Sequence, residues 1–102
     1  MFGALQFTAY AALIGKAIDL ISENPLLPGS LDRSAIASGV RQFNLELAAD
    51  RRGAASHHIY YLTLPSPNDP LETFILRVLH EKMEAGARIG RAVAAVRQRH
   101  SP

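Results

Sequence analysis

The nonapeptide Ile75–Met83, ILRVLHEKM, decides how the rest of the chain is interpreted. It begins as an apolar run, contains Arg77 in its middle and ends in the polar triplet HEK at positions 80–82. Together with the preceding LETF, the run has the length and the β-favouring composition of a strand. A buried guanidinium is costly unless it is paired. We therefore expect Arg77 to meet a carboxylate or a partner molecule.

Arg77 and His80 are three residues apart, so an extended strand would place them on opposite faces. If the chain turns after Leu79, both could border one cleft. Within the chain, the candidate carboxylates for Arg77 are Glu72 and Asp50, and the alternative is an acidic group of another chain.

Two upstream segments also have strand character. The segment His57–Leu64, HHIYYLTL, is β-branched and aromatic, and the proline-rich loop PSPNDP separates it from the last strand. This arrangement predicts an antiparallel hairpin. The segment Val40–Leu47, VRQFNLEL, alternates with a period of two. That alternation would place three apolar side chains on one side of a strand: Phe43, Leu45 and Leu47.

Helical periodicity flanks these strands. The segment Leu5–Glu23 carries a continuous apolar stripe and predicts a helix that ends at Asn24-Pro25, because the residue before proline avoids the α region. The stripe comprises Tyr10, Leu13, Ile14, Ala17, Ile18 and Ile21. After Met83 a narrower apolar seam predicts a second helix, Ala85–Arg99. Its members are Ala85, Ile89, Ala92 or Val93, and Val96.

The predicted fold class is α+β: an N-terminal helix packed on a small three-stranded antiparallel sheet, with a C-terminal helix. Residues 1–102 are expected to form one domain, and residues 90–102 a basic C-terminal extension. The link at residues 31–39 is ambiguous and could form a short helix capped by Ser30. The stretch Ser34–Leu47 also has helix-turn-helix spacing, although the strand-like alternation after Val40 competes with a recognition helix.

Composition narrows the functional classes. The net charge is +2 and the pI is near 9.4, a mild basicity that does not by itself require nucleic acid. Cysteine is absent, which excludes disulfides and thiolate metal sites. The apolar N-terminus is interrupted by Gln6, Lys16 and Asp19 and has no basic residues before it. These features disfavour a membrane span and a signal peptide, so we expect a cytoplasmic protein.

The histidines and tyrosines give no metal or cofactor pattern. His57 and His58 are adjacent and would point to opposite faces of a strand, while His80 and His100 are distant in sequence. No metal, cofactor or catalytic residue is therefore predicted. Tyr60 and Tyr61 also alternate in direction, and we expect one in the core and the other at water or a partner.

The order of these motifs resembles that of ParE-type toxins in the RelE/ParE toxin–antitoxin superfamily. The matching segments, in order, are ISENPLLPGS, GVRQFNLEL, SHHIYYL and ILRVLHEKM. In that family a helix ends at an Asn-Pro turn, and a strand with an Arg-x-Phe core follows, here Arg41 and Phe43. A strand that opens with His and carries aromatic residues comes next, and the last strand reads Arg-Val-Leu-His followed by a basic residue and Met. The resemblance spans roughly Gln6 to Ile89, without the family's usual first strand and first helix.

The resemblance implies a type II toxin, associated with plasmid stabilisation and neutralised by a ParD-like antitoxin. ParE members are linked to inhibition of DNA gyrase, so action by protein binding is expected, without sequence-specific DNA contact or contact with a membrane. The alternatives are a RelE-like mRNA endonuclease acting on the ribosome and a small helix-turn-helix DNA-binding protein. The shortened N-terminus favours a homodimer or a tight antitoxin complex. The predicted partner-binding residues are Arg41, His57, Tyr61, Arg77, His80 and Lys82.

Overall fold

The computed structural model describes residues 4–49, 56–67 and 69–99. Its elements, in chain order, are α1 (Ala4–Glu23), β1 (Ser30–Asp32), β2 (Val40–Asn44), a 3-10 helix (Leu45–Ala48), β3 (His57–Ser66), β4 (Asp69–His80) and α2 (Gly86–Arg99). The strands form one antiparallel sheet in the order β1-β2-β3-β4. The predicted α+β class is confirmed, with four strands in the described residues where the sequence predicted three.

Each helix covers one face of the sheet. Successive side chains of a strand point to opposite faces and therefore pack against different helices. Phe43, Ile59 and Tyr61 pack with α1 in one core cluster, so we call this the α1 face. Tyr60 and Leu62 pack with α2 in a second cluster, on the α2 face. The sheet therefore lies between two helices, and β2 and β3 contribute to both cores.

The apolar stripe of α1 behaves as predicted. Ala17 and Ile21 are fully buried, and the other four stripe residues pack against the same cluster. The helix ends at Glu23, and the Asn24 carboxamide oxygen then accepts the backbone N–H of Leu26 at 3.2 Å. This local bond closes the turn after α1 and directs the chain towards β1.

The extra strand lies in the ambiguous link, where a short helix capped by Ser30 is wrong. Ser30 begins β1 and lies opposite Phe43 in β2. The Asp32 carboxylate accepts the backbone N–H of Ser34 at 2.7 Å, which forms a turn in place of a helical start. Gly39 (φ +87°) completes the connection to β2. Since Val40–Asn44 is a strand, the helix-turn-helix alternative has no recognition helix there.

The strand predicted at Val40–Leu47 is shorter than its alternation suggested. It ends at Asn44, whose side-chain oxygen accepts the backbone N–H of Glu46 at 3.0 Å and caps the 3-10 helix. Leu45 is buried in the α1-face core, whereas Leu47 is 55% exposed. The prediction that Phe43, Leu45 and Leu47 share one strand face is therefore wrong, because a local cap ends the strand first.

The hairpin of β3 and β4 is confirmed and is longer than predicted, since Ser66 still pairs with Asp69. A register shift occurs at its centre: Tyr60 pairs with Arg77 and Tyr61 pairs with Ile75, which leaves Leu76 as the extra residue of a bulge. The extra residue breaks the alternation, so that Phe74, opposite Leu62, and Arg77, opposite Tyr60, both lie on the α2 face although they are three residues apart.

The C-terminal helix is also confirmed. The Glu84 carboxylate accepts the backbone N–H of Gly86 at 2.6 Å and so caps the start of α2. Ile89 and Val93 are buried against the sheet. Arg97 donates from Nη2 to the backbone oxygen of Ser38 at 2.9 Å, which ties the last turn of α2 to the β1–β2 connection.

Candidate functional site

Polar side chains gather on both faces at the end of the sheet where β3 begins. On the α1 face, Tyr10, His57 and His80 form what we call the His57 cluster. On the α2 face, the His58 cluster consists of Arg33, Gln42, His58 and Tyr60. The adjacent histidines point to opposite faces, as the sequence predicted.

In the His57 cluster, the imidazole of His57 lies between two other rings. Its centroid is 5.3 Å from that of Tyr10 and 5.2 Å from that of His80, and both contacts are edge-to-face. The Tyr10 hydroxyl is hydrogen-bonded to Nδ1 of His57. His57 and His80 meet because they are directly opposite each other in the β3–β4 register.

Burial shifts the pKa values of His57 and Tyr10. Desolvation lowers the pKa of His57, and the nearby His80 lowers it further. Desolvation also raises the pKa of Tyr10, an effect opposed by a hydrogen bond with the Ser56 backbone. Both groups are therefore held in their neutral forms, which suits an internal hydrogen bond better than a cationic contact.

In the His58 cluster, one amide joins two donor-bearing side chains. Arg33 donates from Nη1 to the Gln42 carboxamide oxygen, and Gln42 Nε2 lies 2.8 Å from His58 Nδ1. Gln42 is only 6% exposed, but both ends of its amide are paired. The Arg33 guanidinium also lies over the Tyr60 ring, with its Cζ 5.8 Å from the ring centroid.

Opposing effects act on the pKa of His58. Desolvation by burial lowers the pKa of His58 and is the largest effect, while the charge of Glu81 raises it. The positive charge of Arg33 lowers the same pKa. His58 is therefore held neutral, and its imidazole is a hydrogen-bonding group with a fixed orientation.

The end of β4 carries the exposed charges. Arg77 is exposed, and in the described residues no hydrogen bond or ion pair joins it to a carboxylate. Glu72 is therefore not the carboxylate partner that the sequence suggested for Arg77. Asp50, the other candidate within the chain, lies outside the described residues. Because the Arg77 side chain is exposed, its guanidinium stays hydrated and needs no carboxylate within the chain.

His80 fixes the exit from β4, as predicted. Its Nδ1 accepts the backbone N–H of Lys82 at 3.1 Å, and its carbonyl oxygen accepts that of Met83 at 2.9 Å. Lys82 is consequently presented on an exposed turn directly after the strand. His80 itself is half-buried and faces His57, on the opposite side of the sheet from Arg77.

Two other predicted partner-binding residues have internal roles. Arg41 is half-buried and donates from Nη2 to the Ser30 hydroxyl at 2.7 Å and to the Ser30 carbonyl at 3.3 Å, which holds β1 against β2. Tyr61 is fully buried, and its hydroxyl donates to the Pro25 carbonyl at 2.5 Å. Tyr60 is buried as well, so the prediction that one of the two tyrosines reaches water or a partner is wrong. The sheet is covered on both faces there.

The predicted residues therefore fall into three groups. His57 and His80 come together on the α1 face, Arg77 and Lys82 lie exposed at the end of β4, and Arg41 and Tyr61 hold the fold together. Sequence reasoning did not select Tyr10, Arg33, Gln42 and His58 as a site. Tyr10 was hidden in the apolar stripe of α1, and the others meet only through the strand register.

Within the described ranges, no group of three His, Cys, Asp or Glu side chains could hold a metal ion. Among the same residues, neither helix combines the length and the apolarity that a bilayer span requires. Comparisons with protein-family models, with curated proteins and with solved structures find no match.

Proposed function

We propose that this chain is the toxin of a type II toxin–antitoxin pair, that it resembles ParE, and that it binds and inhibits DNA gyrase in the cytoplasm. A ParD-like antitoxin would neutralise it. The observation that carries the proposal is the position of the Arg-Val-Leu-His segment. It is the end of the last strand of the sheet, with Arg77 exposed and unpaired by any described carboxylate.

The exposed cations support binding of an acidic surface. Arg77 and Lys82 are both exposed, and Lys82 is held on a short turn by the bond to His80. A charged rim of this kind speeds association with an oppositely charged partner and fixes its orientation. Apolar surface is also present: Met83, the residue after Lys82, is 39% exposed. Cationic residues beside apolar surface fit a protein partner, which includes a second copy of this chain as an alternative.

The arrangement of the histidines favours binding over catalysis. A general acid or base must be able to reach the group with which it exchanges a proton. Nδ1 of His57 is paired with the Tyr10 hydroxyl, and Nδ1 of His80 accepts the N–H of Lys82. The two imidazoles therefore support the end of the sheet, and we expect no cleavage in an mRNA cleavage assay. Cleavage of mRNA would favour the RelE-like alternative.

Expression in bacteria with and without the neighbouring gene tests the proposal. We expect growth arrest by the wild-type chain and relief when the neighbour is co-expressed. The variant Arg77→Gln should be less toxic at equal protein level, whereas Arg91→Gln, which removes the same charge from an exposed position of α2, should match wild type. Unimpaired growth with folded wild-type protein contradicts the proposal. Arrest accompanied by cut mRNA and normal supercoiling moves the function to the RelE branch.

A further inference from the structure

Gln42 is an unusual choice for the α2 face. Its neighbours on that face include Val40 and Leu62, which are buried in an apolar cluster. A buried amide is tolerated there only when its donors and acceptors are paired. Gln42 meets this condition by bonding Arg33 at one end and His58 at the other. The amide therefore sets the positions of two side chains that carry further hydrogen-bond donors.

The remaining hydrogen-bond donors of Arg33 and His58 favour an anionic ligand. A guanidinium has five N–H groups, and the bond to Gln42 uses one of them. The contact with the Tyr60 ring restrains the guanidinium plane, so less rotational freedom is lost when a ligand binds. His58 accepts at Nδ1 and so carries its proton on Nε2, a second donor. In the described residues no carboxylate pairs with Arg33.

The surroundings distinguish a carboxylate on a peptide from a nucleic-acid phosphate. A phosphate backbone is bound by a row of cations along its path. Here Leu31, which lies opposite Gln42 in the β1–β2 register, is 56% exposed, and the Glu81 carboxylate is close enough to act on His58. The nearby negative charge weighs most against a ligand that carries many charges. The exposed leucine suits a single carboxylate next to an apolar side chain.

We propose that Arg33, Gln42 and His58 form a binding site for a Glu or Asp side chain of a peptide segment, with Leu31 contacting an adjacent apolar residue of that segment. Arg33 supplies a two-pronged contact to the carboxylate. His58 donates from Nε2, and Gln42 is a positioning residue. The site lies on the α2 face and does not depend on the toxin assignment, since it requires neither Arg77 nor Lys82.

The test uses the full chain and two matched probes, the peptides acetyl-ALELA-amide and acetyl-ALQLA-amide. Titration is followed by ¹⁵N NMR of the histidine and arginine side chains. The Glu peptide should shift the His58 Nε2–H and Arg33 Nε–H signals saturably, and the Gln peptide should bind at least about tenfold more weakly. Arg33→Gln should weaken binding of the Glu peptide by a similar factor, and Arg91→Gln should leave it unchanged.

Three results would overturn the proposal. They are equal shifts by the two peptides, no shift of His58 and Arg33 by the Glu peptide, and preferential binding of a uridine octanucleotide that depends on Arg33. Arg33→Lys provides a second variant should Arg33→Gln not fold, because it keeps the charge but lacks the planar fork. It should weaken binding of the Glu peptide, and unchanged affinity contradicts the two-pronged contact. Loss of toxicity in Arg77→Gln with intact Glu-peptide binding would show that the two sites are separate.

Discussion

The Gln42 amide nitrogen donates a hydrogen bond of 2.8 Å to Nδ1 of His58. Arg33 fixes the orientation of the amide and therefore the direction of this bond. Arg33 is only a donor, so its bond to Gln42 identifies the amide atom that it contacts as the oxygen. The amide NH₂ must then face His58, which accepts at Nδ1 and keeps its proton on Nε2. A half-buried arginine in the β1–β2 connection thus determines, through Gln42, the tautomer of a histidine in β3.

Replacing Gln42 with Glu should reverse the electrostatics of this cluster. A carboxylate between Arg33 and His58 would favour the imidazolium form, because an opposite charge nearby stabilises the protonated state. We expect the pKa of His58 to lie below its ordinary range in the wild-type protein and to rise in Gln42→Glu. Titration of the imidazole C2–H signal by NMR measures both values.

Gln42→Met provides the control for that titration, because it fills a similar volume without adding a charge. An unchanged pKa of His58 in a folded Gln42→Glu protein would show that the amide does not control the imidazole.

Loss of the Tyr61 hydroxyl should weaken the attachment of the α1–β1 turn. The hydroxyl donates to the Pro25 carbonyl at 2.5 Å from a fully buried ring, so Tyr61→Phe leaves that carbonyl without this donor. We expect the free energy of unfolding to fall by about 1 kcal/mol, measured by urea denaturation. Leu26→Ala, at an exposed neighbouring position, should change it by less than about 0.5 kcal/mol. Equal effects of the two changes would contradict the role of the hydroxyl.

Two glycines should respond to alanine with opposite signs. Gly39 has φ +87°, and a Cβ there would lie 2.6 Å from the Thr63 carbonyl oxygen, so Gly39→Ala should destabilise by at least about 1–2 kcal/mol. Gly15 is in α1, and a Cβ there would have no atom within 4 Å apart from its chain neighbours and the backbone of its own helix, so Gly15→Ala should stabilise by about 0.5–1 kcal/mol. Thermal unfolding measures both, and stabilisation by Gly39→Ala would refute the tight β1–β2 connection.

Stability should decrease as the solution is acidified through the histidine range. Burial lowers the pKa of His57 and of His58, so the unfolded chain binds these protons more readily than the folded one. Their contribution is therefore complete above the ordinary histidine pKa and is lost as the pH falls towards the lower folded values. Urea midpoints at about pH 8 and about pH 5.5 measure the change, above the range in which carboxylates titrate.

The double variant His57→Gln, His58→Gln supplies the control for this dependence. Its urea midpoint should vary less with pH over the same interval. A wild-type midpoint that is equal or higher in acid would show that the two imidazoles are not held neutral in the folded protein.

Periodic elements of this fold were predictable, and elements held by single polar side chains were not. The stripe of α1, the seam of α2 and the last strand repeat over many residues, so the pattern outweighs any one position. The strand β1 has only three residues and depends on turns at Asp32 and Gly39. The early end of β2 depends in the same way on the Asn44 cap.

Candidate site residues were harder to predict, because their grouping depends on register. His57 and His80 are far apart in sequence and meet only because they are opposite each other in the hairpin. The bulge at Leu76 places Phe74 and Arg77 on the same face although they are three residues apart, and no single residue in ILRVLHEKM signals that break in the alternation. Burial of both Tyr60 and Tyr61 follows from helices on the two faces of the sheet, which alternation along one strand does not reveal.

The supercoiling activity of purified DNA gyrase, measured against increasing concentrations of the full chain, tests whether the chain inhibits this enzyme through Arg77. We expect the wild-type chain and Arg91→Gln to inhibit equally and Arg77→Gln to require at least about tenfold more protein, because an exposed guanidinium that pairs with an acidic partner is lost. Full supercoiling at saturating concentrations of folded wild-type chain would show that gyrase is not the target, and equal inhibition by Arg77→Gln would show that Arg77 does not contact it.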